Sequence, residues 1–372
     1  MDTEEFRSHI ARWVDERLVP VAHEMDRKGD FPLALFRELG GLGYYGTMYP
    51  EEHGGSGIEN PFTCFSILCE ELARGNMGFA ATVCMQASTA TWTLYRWGSD
   101  ALRKEYLEPA IRGEKIGAFA ITEPNAGSDA AALRTRAEKA AGGYRLTGTK
   151  IFTTNGTVAD FITVAARPAG EKKIGLFLVD TKSKGFSVGR RLDKFSVNCS
   201  DTGELVFDGV FVPEARRLGG GEDAFLNAYR ALTVDRVFTA ALSVGNARAA
   251  YDAALTYARD RSQFGQPIGK FQAVQFKLVD MLAQIESARV YTYHVAALAD
   301  QGKDITKEAA LAKLVAADGC HEVCNKALNI FGGYGLMNEF PAQRYLRDSY
   351  FTIIGGGTSD IMRLIIARQI GL

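Results

Sequence analysis

The feature that most restricts what this 372-residue chain can fold into is a double change in its hydrophobic period. Up to about residue 115, apolar residues recur at three- and four-residue spacing, the signature of amphipathic helices. Glu4 to Val21, Pro32 to Leu39, Pro61 to Arg74, Phe79 to Tyr95 and Ser99 to Ile111 carry it. The pattern then shortens to β-rich runs over Lys115–Ile121, Tyr144–Thr147, Lys150–Thr154, Asp160–Ala166, Ile174–Val179, Phe186–Leu192 and Glu204–Val212. Gly142-Gly143 and Gly148 punctuate them as turn signals. After Leu218-Gly219-Gly220-Gly221 the helical period returns over Phe225–Arg259, Gln272–Asp300 and Lys307–Phe331. The chain therefore reads as α+β. We expect an N-terminal helical domain over 1–115, a central antiparallel β domain over 116–218 (a small barrel or pair of sheets), and a C-terminal four-helix bundle over 219–372.

A chain that is 47% hydrophobic and 23% charged buries a large core, divided at this length over two or three domains or subdomains. The net charge of −1 leaves no nucleic-acid footprint. No polybasic run, membrane-length apolar stretch or hydrophobic leader appears, and MDTEEFRSHI reads as the start of an amphipathic helix. The expected location is the cytoplasm, with no membrane partner. Six cysteines include no CxxC pair. Cys320 and Cys324 share a helix face at i, i+4, and with His321 they lack the further ligands of a zinc site, so no metal is expected. Gly41-Leu42-Gly43-Tyr44-Tyr45-Gly46 fits GxGxxG but follows a helix and opens none, so it reads as a helix end.

Gly117 to Asp129, GAFAITEPNAGSD, is an apolar strand that breaks into a turn of short side chains. Backbone N–H groups and hydroxyls left free at a strand end suit a flavin ring or a phosphate. The stretch resembles the T-E-P-x-A-G-S-D signature of the acyl-CoA dehydrogenase family of flavoproteins. Pro50-Glu51-Glu52-His53-Gly54-Gly55-Ser56-Gly57 is similar to the family's P-E-E-x-G-G-x-G connection. Phe152-Thr153-Thr154-Asn155 stands where the family has W-I-T-N, with Phe for Trp. Three more blocks are family-like: Arg259 to Gly265 followed by Pro267-Ile268 and Phe271-Gln272; Asn329 to Gly335, with Asn for the usual Gln; and Gly356-Gly357-Thr358-Ser359-Asp360. The likeness runs from about Phe6 to the C-terminus.

This resemblance implies the acyl-CoA dehydrogenase fold, non-covalent FAD, a homotetramer (or homodimer), and oxidation of an acyl-CoA to its trans-2-enoyl product. Electrons would leave through an electron-transfer flavoprotein. It implies cofactor-binding roles for Thr122, Ser128, Phe152, Thr154, Arg261, Phe264, Gln272, Asn329, Gly332, Gly333, Thr358 and Asp360. Those of Arg261, Phe264 and Gln272 would reach across a subunit boundary. On the substrate side it implies Ser128, Thr233, Arg236, Met85, Trp92 and Gly357. Met85 and Trp92, with Cys84 and Ser88, fall on the helix that lines the family's acyl pocket, and favour a modest, non-extended acyl group.

The reaction needs a carboxylate at Cα, because an α-proton beside a thioester is weakly acidic, and hydrogen bonds to the developing oxyanion. Most family members carry Glu in Y-E-G-T. Here the segment reads Ile353-Ile354-Gly355-Gly356-Gly357-Thr358, so Gly356 retains only a backbone N–H, an oxyanion donor in the family. Members resembling isovaleryl-CoA dehydrogenase place the Glu before an Arg in the first helix of the last domain. The matching dipeptide is Asp235-Arg236, which makes Asp235 the expected base, one methylene shorter than Glu. Two other readings use the same motifs. One is dehydrogenation of acyl or aminoacyl groups on a carrier protein. The other is a relative without a base that binds flavin and thioester for non-oxidative chemistry.

Overall fold

The computed structural model describes residues 2–171, 173–219 and 224–372, the side chains of 224–231 excepted. The N-terminal part is helical: α1 (Thr3–Trp13), α2 (Ala22–Lys28), α3 (Leu33–Gly41), α4 (Pro61–Gly75), α5 (Met77–Cys84), α6 (Thr91–Trp97), α7 (Asp100–Leu102) and α8 (Glu108–Ile111). Two irregular turns, Val14–Leu18 and Val19–Val21, join α1 to α2 where Pro20 removes a backbone donor. α4 begins with Pro61, whose fixed φ suits a first turn that has no use for its N–H. α5 and α6 form one rod interrupted by a π-helical turn, Met85–Ala90. α3 ends at Gly41 and the chain turns at Gly43 (φ 87°), so the GxGxxG match is a helix end.

The middle of the chain builds one sheet from β1 (Gly117–Ala120), β2 (Arg136–Ala140), β3 (Gly143–Thr154), β4 (Phe161–Pro168), β5 (Gly175–Asp180), β6 (Phe186–Arg191), β7 (Thr202–Pro213) and β8 (Arg217–Leu218). Tyr144–Thr147 and Lys150–Thr154, read as two strands, are one. β3 runs through Gly148, and its ladder with β7 shifts register on either side of Gly148–Lys150. β2 has no counterpart in the sequence reading, because Arg-Ala-Glu-Lys-Ala lacks the β-branched residues that mark a strand. The sheet is also mixed rather than wholly antiparallel: β1 and β2 both pair parallel to β4. The excursion through the turn after β1 and the β2–β3 hairpin is a crossover that brings β4 in alongside β1 in the same direction. Tyr144, Leu146, Ile162, Phe177, Leu205 and Val212 close the sheet's core.

α9 (Ala224–Asp260), α10 (Gln272–Asp300), α11 (Thr306–Phe331) and α12 (Ala342–Ile354) form the bundle, with α13 (Ser359–Gln369) packed on α11 and a small hairpin, β9 (Ser262–Gln263) and β10 (Gln266–Pro267), between α9 and α10. Small residues line the contact: Ala240, Ala247, Ala254, Ala309, Ala312 and Ala316 bring α9 and α11 close. Gly245 has a second reason to lack a side chain, since a Cβ there would lie 2.0 Å from the Glu70 carbonyl oxygen of α4. The Gly220-Gly221 part of the expected break lies outside the described residues. Cys320 and Cys324 lie side by side and buried on α11, with Sγ atoms 3.9 Å apart. Among the described residues no helix is long and apolar enough to cross a membrane.

Candidate active site

Asp235 sits in the N-terminal half of α9, which packs against the α5–α6 rod. Its Oδ1 accepts from the Thr89 hydroxyl at 3.0 Å and lies 3.1 Å from the Ser88 hydroxyl and 3.7 Å from the Cys84 thiol. Loss of water around the carboxyl raises its pKa, and the Thr89, Ser88 and Cys84 donors and then the Arg236 charge oppose that rise. The turn that brings these donors together has a local cause. Thr91 Oγ1 donates to the Gln86 carbonyl five residues back at 2.7 Å, and the Gln86 amide bridges the Ala110 and Lys115 carbonyls and the Gly117 N–H. Side chains thus take up the backbone groups that a π-helical turn releases, and bolt it to the start of β1.

The loop after α12 meets Asp235 from the other side. A Cβ placed on Gly356 would lie 3.7 Å from Asp235 Oδ2 and 3.6 Å from the Thr239 hydroxyl. Gly356 and Gly357 hold φ of 66° and 99°, a region that favours glycine. Lys313, fully buried on α11, donates its Nζ to the carbonyls of Gly357 (2.6 Å) and Ile353 (3.2 Å), so it clamps both ends of the turn; burial pushes this lysine down to about 8. Among the described residues the Gly356 N–H meets no protein acceptor. Sequence reasoning passed over both Thr89 and Lys313. A lysine at a core phase of the small-residue run EAALAKLVAAD was the available signal for Lys313; Thr89 had none, because only a π-helical turn puts it beside Ser88.

The turn after β1 is rigid. Glu123 is buried, accepts from the backbone N–H groups of Arg134 (2.6 Å) and Thr135 (2.9 Å), and pairs with buried Lys150 at 2.8 Å. Thr122 and Thr154 are half-buried and Ser128 is exposed, and among the described residues their hydroxyls meet no protein partner. Phe152 is 66% exposed at a φ of 58°, strained for a residue with a side chain, in the β3 bulge. Free hydroxyls beside an exposed aromatic face fit a flat ring with a polar edge, and so these residues fit a flavin.

Other expected residues fall elsewhere. Arg261 lies over the Tyr334 ring at 5.4 Å, Phe264 is 94% exposed at the hairpin tip, and Gln272 opens α10. Asn329 donates to the Asn325 carbonyl at 2.8 Å, and Gly332 and Gly333 are exposed at the end of α11. These six gather at the hairpin end of the bundle, apart from Asp235. Thr358 caps α13 by accepting from the Ile361 N–H at 3.2 Å, and Asp360 pairs with Arg363 at 3.2 Å. Thr233 and Arg236 are buried on α9. Met85 and Trp92 are half-buried on either side of Ser88, with the Trp92 ring 5.9 Å from Phe62 and 6.3 Å from Tyr49.

Three family models match this chain: the acyl-CoA dehydrogenase N-terminal domain over 1–114, its middle domain over 118–210 and its C-terminal domain over 225–371. Benzylmalonyl-CoA dehydrogenase of Aromatoleum aromaticum is 44% identical, covering 97% of this chain and 96% of its own. The structure of butyryl-CoA dehydrogenase from Megasphaera elsdenii aligns with a TM-score of 0.95 at 36% identity, with both chains fully covered. A structure of PigA with FAD and proline aligns at 0.94 and 28% identity, again over both whole chains.

Proposed function

Since this chain belongs to the acyl-CoA dehydrogenase family of FAD-binding oxidoreductases, we propose that it desaturates an acyl-CoA between Cα and Cβ with Asp235 as the α-proton base. When bound, FAD supplies the hydride acceptor; Thr122, Ser128, Phe152 and Thr154 would hold its ring. Asp235 Oδ2 takes the α-proton, and the Gly356 N–H stabilises the negative charge that builds on the thioester oxygen. Exclusion of water by α5, α9 and the 353–358 loop strengthens both interactions.

The observation that carries this reading is the meeting of two backbone points at one place. A side chain on Gly356 would start 3.7 Å from Asp235 Oδ2, so a carboxylate from α9 serves the space that a Glu at 356 would fill. The reading without a base has no such support. A family electron-transfer flavoprotein is the proposed electron acceptor. Exposed Phe276, Val279, Leu282 and Val290 on α10, with the projecting Phe264, support assembly into a homotetramer or homodimer in which Arg261, Phe264 and Gln272 serve the flavin of a neighbouring copy.

The test is anaerobic flavin bleaching by butyryl-, isovaleryl- and 3-phenylpropionyl-CoA, and by the same acyl groups on a carrier protein. We expect bleaching by a CoA ester, and loss of several orders of magnitude in Asp235→Asn with FAD retained. Undiminished reduction by Asp235→Asn would remove the base assignment. Bleaching only by carrier-bound groups would move the activity to a carrier protein.

A further inference from the structure

The two oxygens of Asp235 live in different surroundings. Oδ1 faces the π-helical turn and is met by Thr89, Ser88 and Cys84; Oδ2 faces Gly356. In a regular α-helix, residues i and i+5 point about 140° apart, so Cys84 and Thr89 would face different neighbours. The wider π-helical turn lets positions 84, 88 and 89 converge on one atom. We propose that Thr89, with Ser88 and Cys84, is a positioning residue for catalysis: the three anchor Oδ1 and leave Oδ2 as the oxygen that takes the α-proton. This rests on the reading of Asp235 as the base.

The division of labour follows from donor counting. The Ser88 hydroxyl has one proton and also lies within bonding distance of the Cys84 carbonyl, so Ser88 shares its donation. Among the described residues Thr89 has no backbone acceptor competing for its proton, and it is the principal anchor. Cys84 is a thiol rather than a thiolate, because its neighbour Cys69, burial and the Asp235 charge all push its pKa up, so its proton is available to the carboxylate. An Asp reaches one methylene less far than a Glu and swings on one fewer torsion. Anchoring one oxygen therefore fixes the other. When Oδ2 gains the proton, the Cα–H electrons remain with the substrate to form the double bond and the thioester oxygen takes up charge at the Gly356 N–H; FAD, when bound, would be the acceptor for the hydride lost from Cβ.

Asp235 is also within the field of Arg236 and of Lys313, whose charges favour the carboxylate, and of the Cys84 thiol with Cys69 behind it. Removing the hydroxyls of Ser88 and Thr89 leaves the Arg236 and Lys313 charges in place, and takes from Cys84 a Ser88 contact that holds its pKa down, so Cys84 stays a thiol. Because hydrogen bonds to the charged form hold a carboxyl pKa down, their loss moves the acid limb of the pH–rate profile upward. A bond to an ionised group is worth about one pH unit or more.

The experiment measures anaerobic flavin reduction against pH for the holoenzyme, using whichever of butyryl-, isovaleryl- or 3-phenylpropionyl-CoA bleaches it fastest. Ser88→Ala/Thr89→Val is expected to retain FAD, to shift the acid limb up by at least one unit, and to lower the plateau rate about tenfold or more through misorientation. Thr89→Ser is expected to restore limb and plateau. Thr89→Val alone gives the same reading, at smaller amplitude, should the double variant fail to bind FAD. An unmoved limb and plateau, with Asp235→Asn inactive, would overturn the positioning role and leave the base intact. Full reduction by Asp235→Asn would remove the base reading and this proposal with it.

Discussion

On the proposed assignment, a carboxylate at Asp235 and one at position 356 are two solutions to one geometric demand. The Cβ position of Gly356 has ordinary contact distances to Asp235 Oδ2 and Thr239 Oγ1, so a side chain there meets space rather than backbone. Its φ of 66° would cost a non-glycine residue roughly 1–2 kcal/mol. We therefore expect Asp235→Ala to abolish flavin reduction by acyl-CoA and Asp235→Ala/Gly356→Glu to regain a measurable part of it. Stopped-flow reduction rates decide this; a double variant that binds FAD but reduces no faster than Asp235→Ala would show that the two backbone points do not serve the same Cα. At this scale a motif match was enough to single out Asp235, Arg236 and the Thr122–Ser128 turn as candidates. Thr89 was not legible, because its role depends on a helical irregularity whose cause is distributed over Gln86, Thr91 and the start of β1.

The elements around the site work as clamps. The π-helical turn holds the Asp235 carboxylate, the Glu123–Lys150 pair holds the turn after β1, and Lys313 holds the loop after α12. Lys313 joins the carbonyls of Ile353 and Gly357 across the glycine turn, so the direction of the Gly356 N–H depends on an ammonium on another helix. Lys313→Met is expected to leave FAD bound and to lower flavin reduction about 100-fold, the scale of losing one oxyanion donor. Reduction within threefold of wild type would mean that the turn keeps its shape without the clamp. Strand pairing was the least legible feature at this scale. β2 was hidden by its charged and small residues, and the parallel pairing of β1 and β2 with β4 depends on where distant strands return, which local period does not encode.

Across the whole molecule, buried polar contacts join the three parts. Arg7 of α1 and Arg248 of α9 both donate to Glu71 of α4 at 2.8 Å. Asp348 of α12 accepts from the Val197 N–H of the β6–β7 connection at 2.7 Å, beside the Arg347–Asp26 pair that reaches α2. Burial pushes Asp348 up to about 6 from an unfolded value of 3.8, and the nearby Asp26 adds to the rise. The folded chain thus binds more protons than the unfolded chain between those values, so this group's contribution to stability falls as pH rises through that window. Asp348→Asn keeps a carbonyl acceptor for Val197 and removes the buried charge. We expect it to match the wild type at pH 4 and to exceed it at pH 8 by up to about 3 kcal/mol, the worth of roughly two pKa units. Chemical denaturation at the two pH values checks this; equal stability at pH 8 would show that Arg344 and Arg347 already offset the charge.

The sequence by itself determined the order helical, β, helical, and the family, and it singled out Asp235 and Gly356 as the residues to which we assign the chemistry. Periodicity is a local property of the chain, and motif residues are legible one by one. Only the tertiary structure decided that Asp235 and Gly356 face each other, that Oδ1 is anchored while Oδ2 is turned toward Gly356, and that Lys313 governs the intervening turn. Those relations join α5, α9, α11 and the loop after α12, and are set by how alanine- and glycine-lined helices pack rather than by any pattern within one segment.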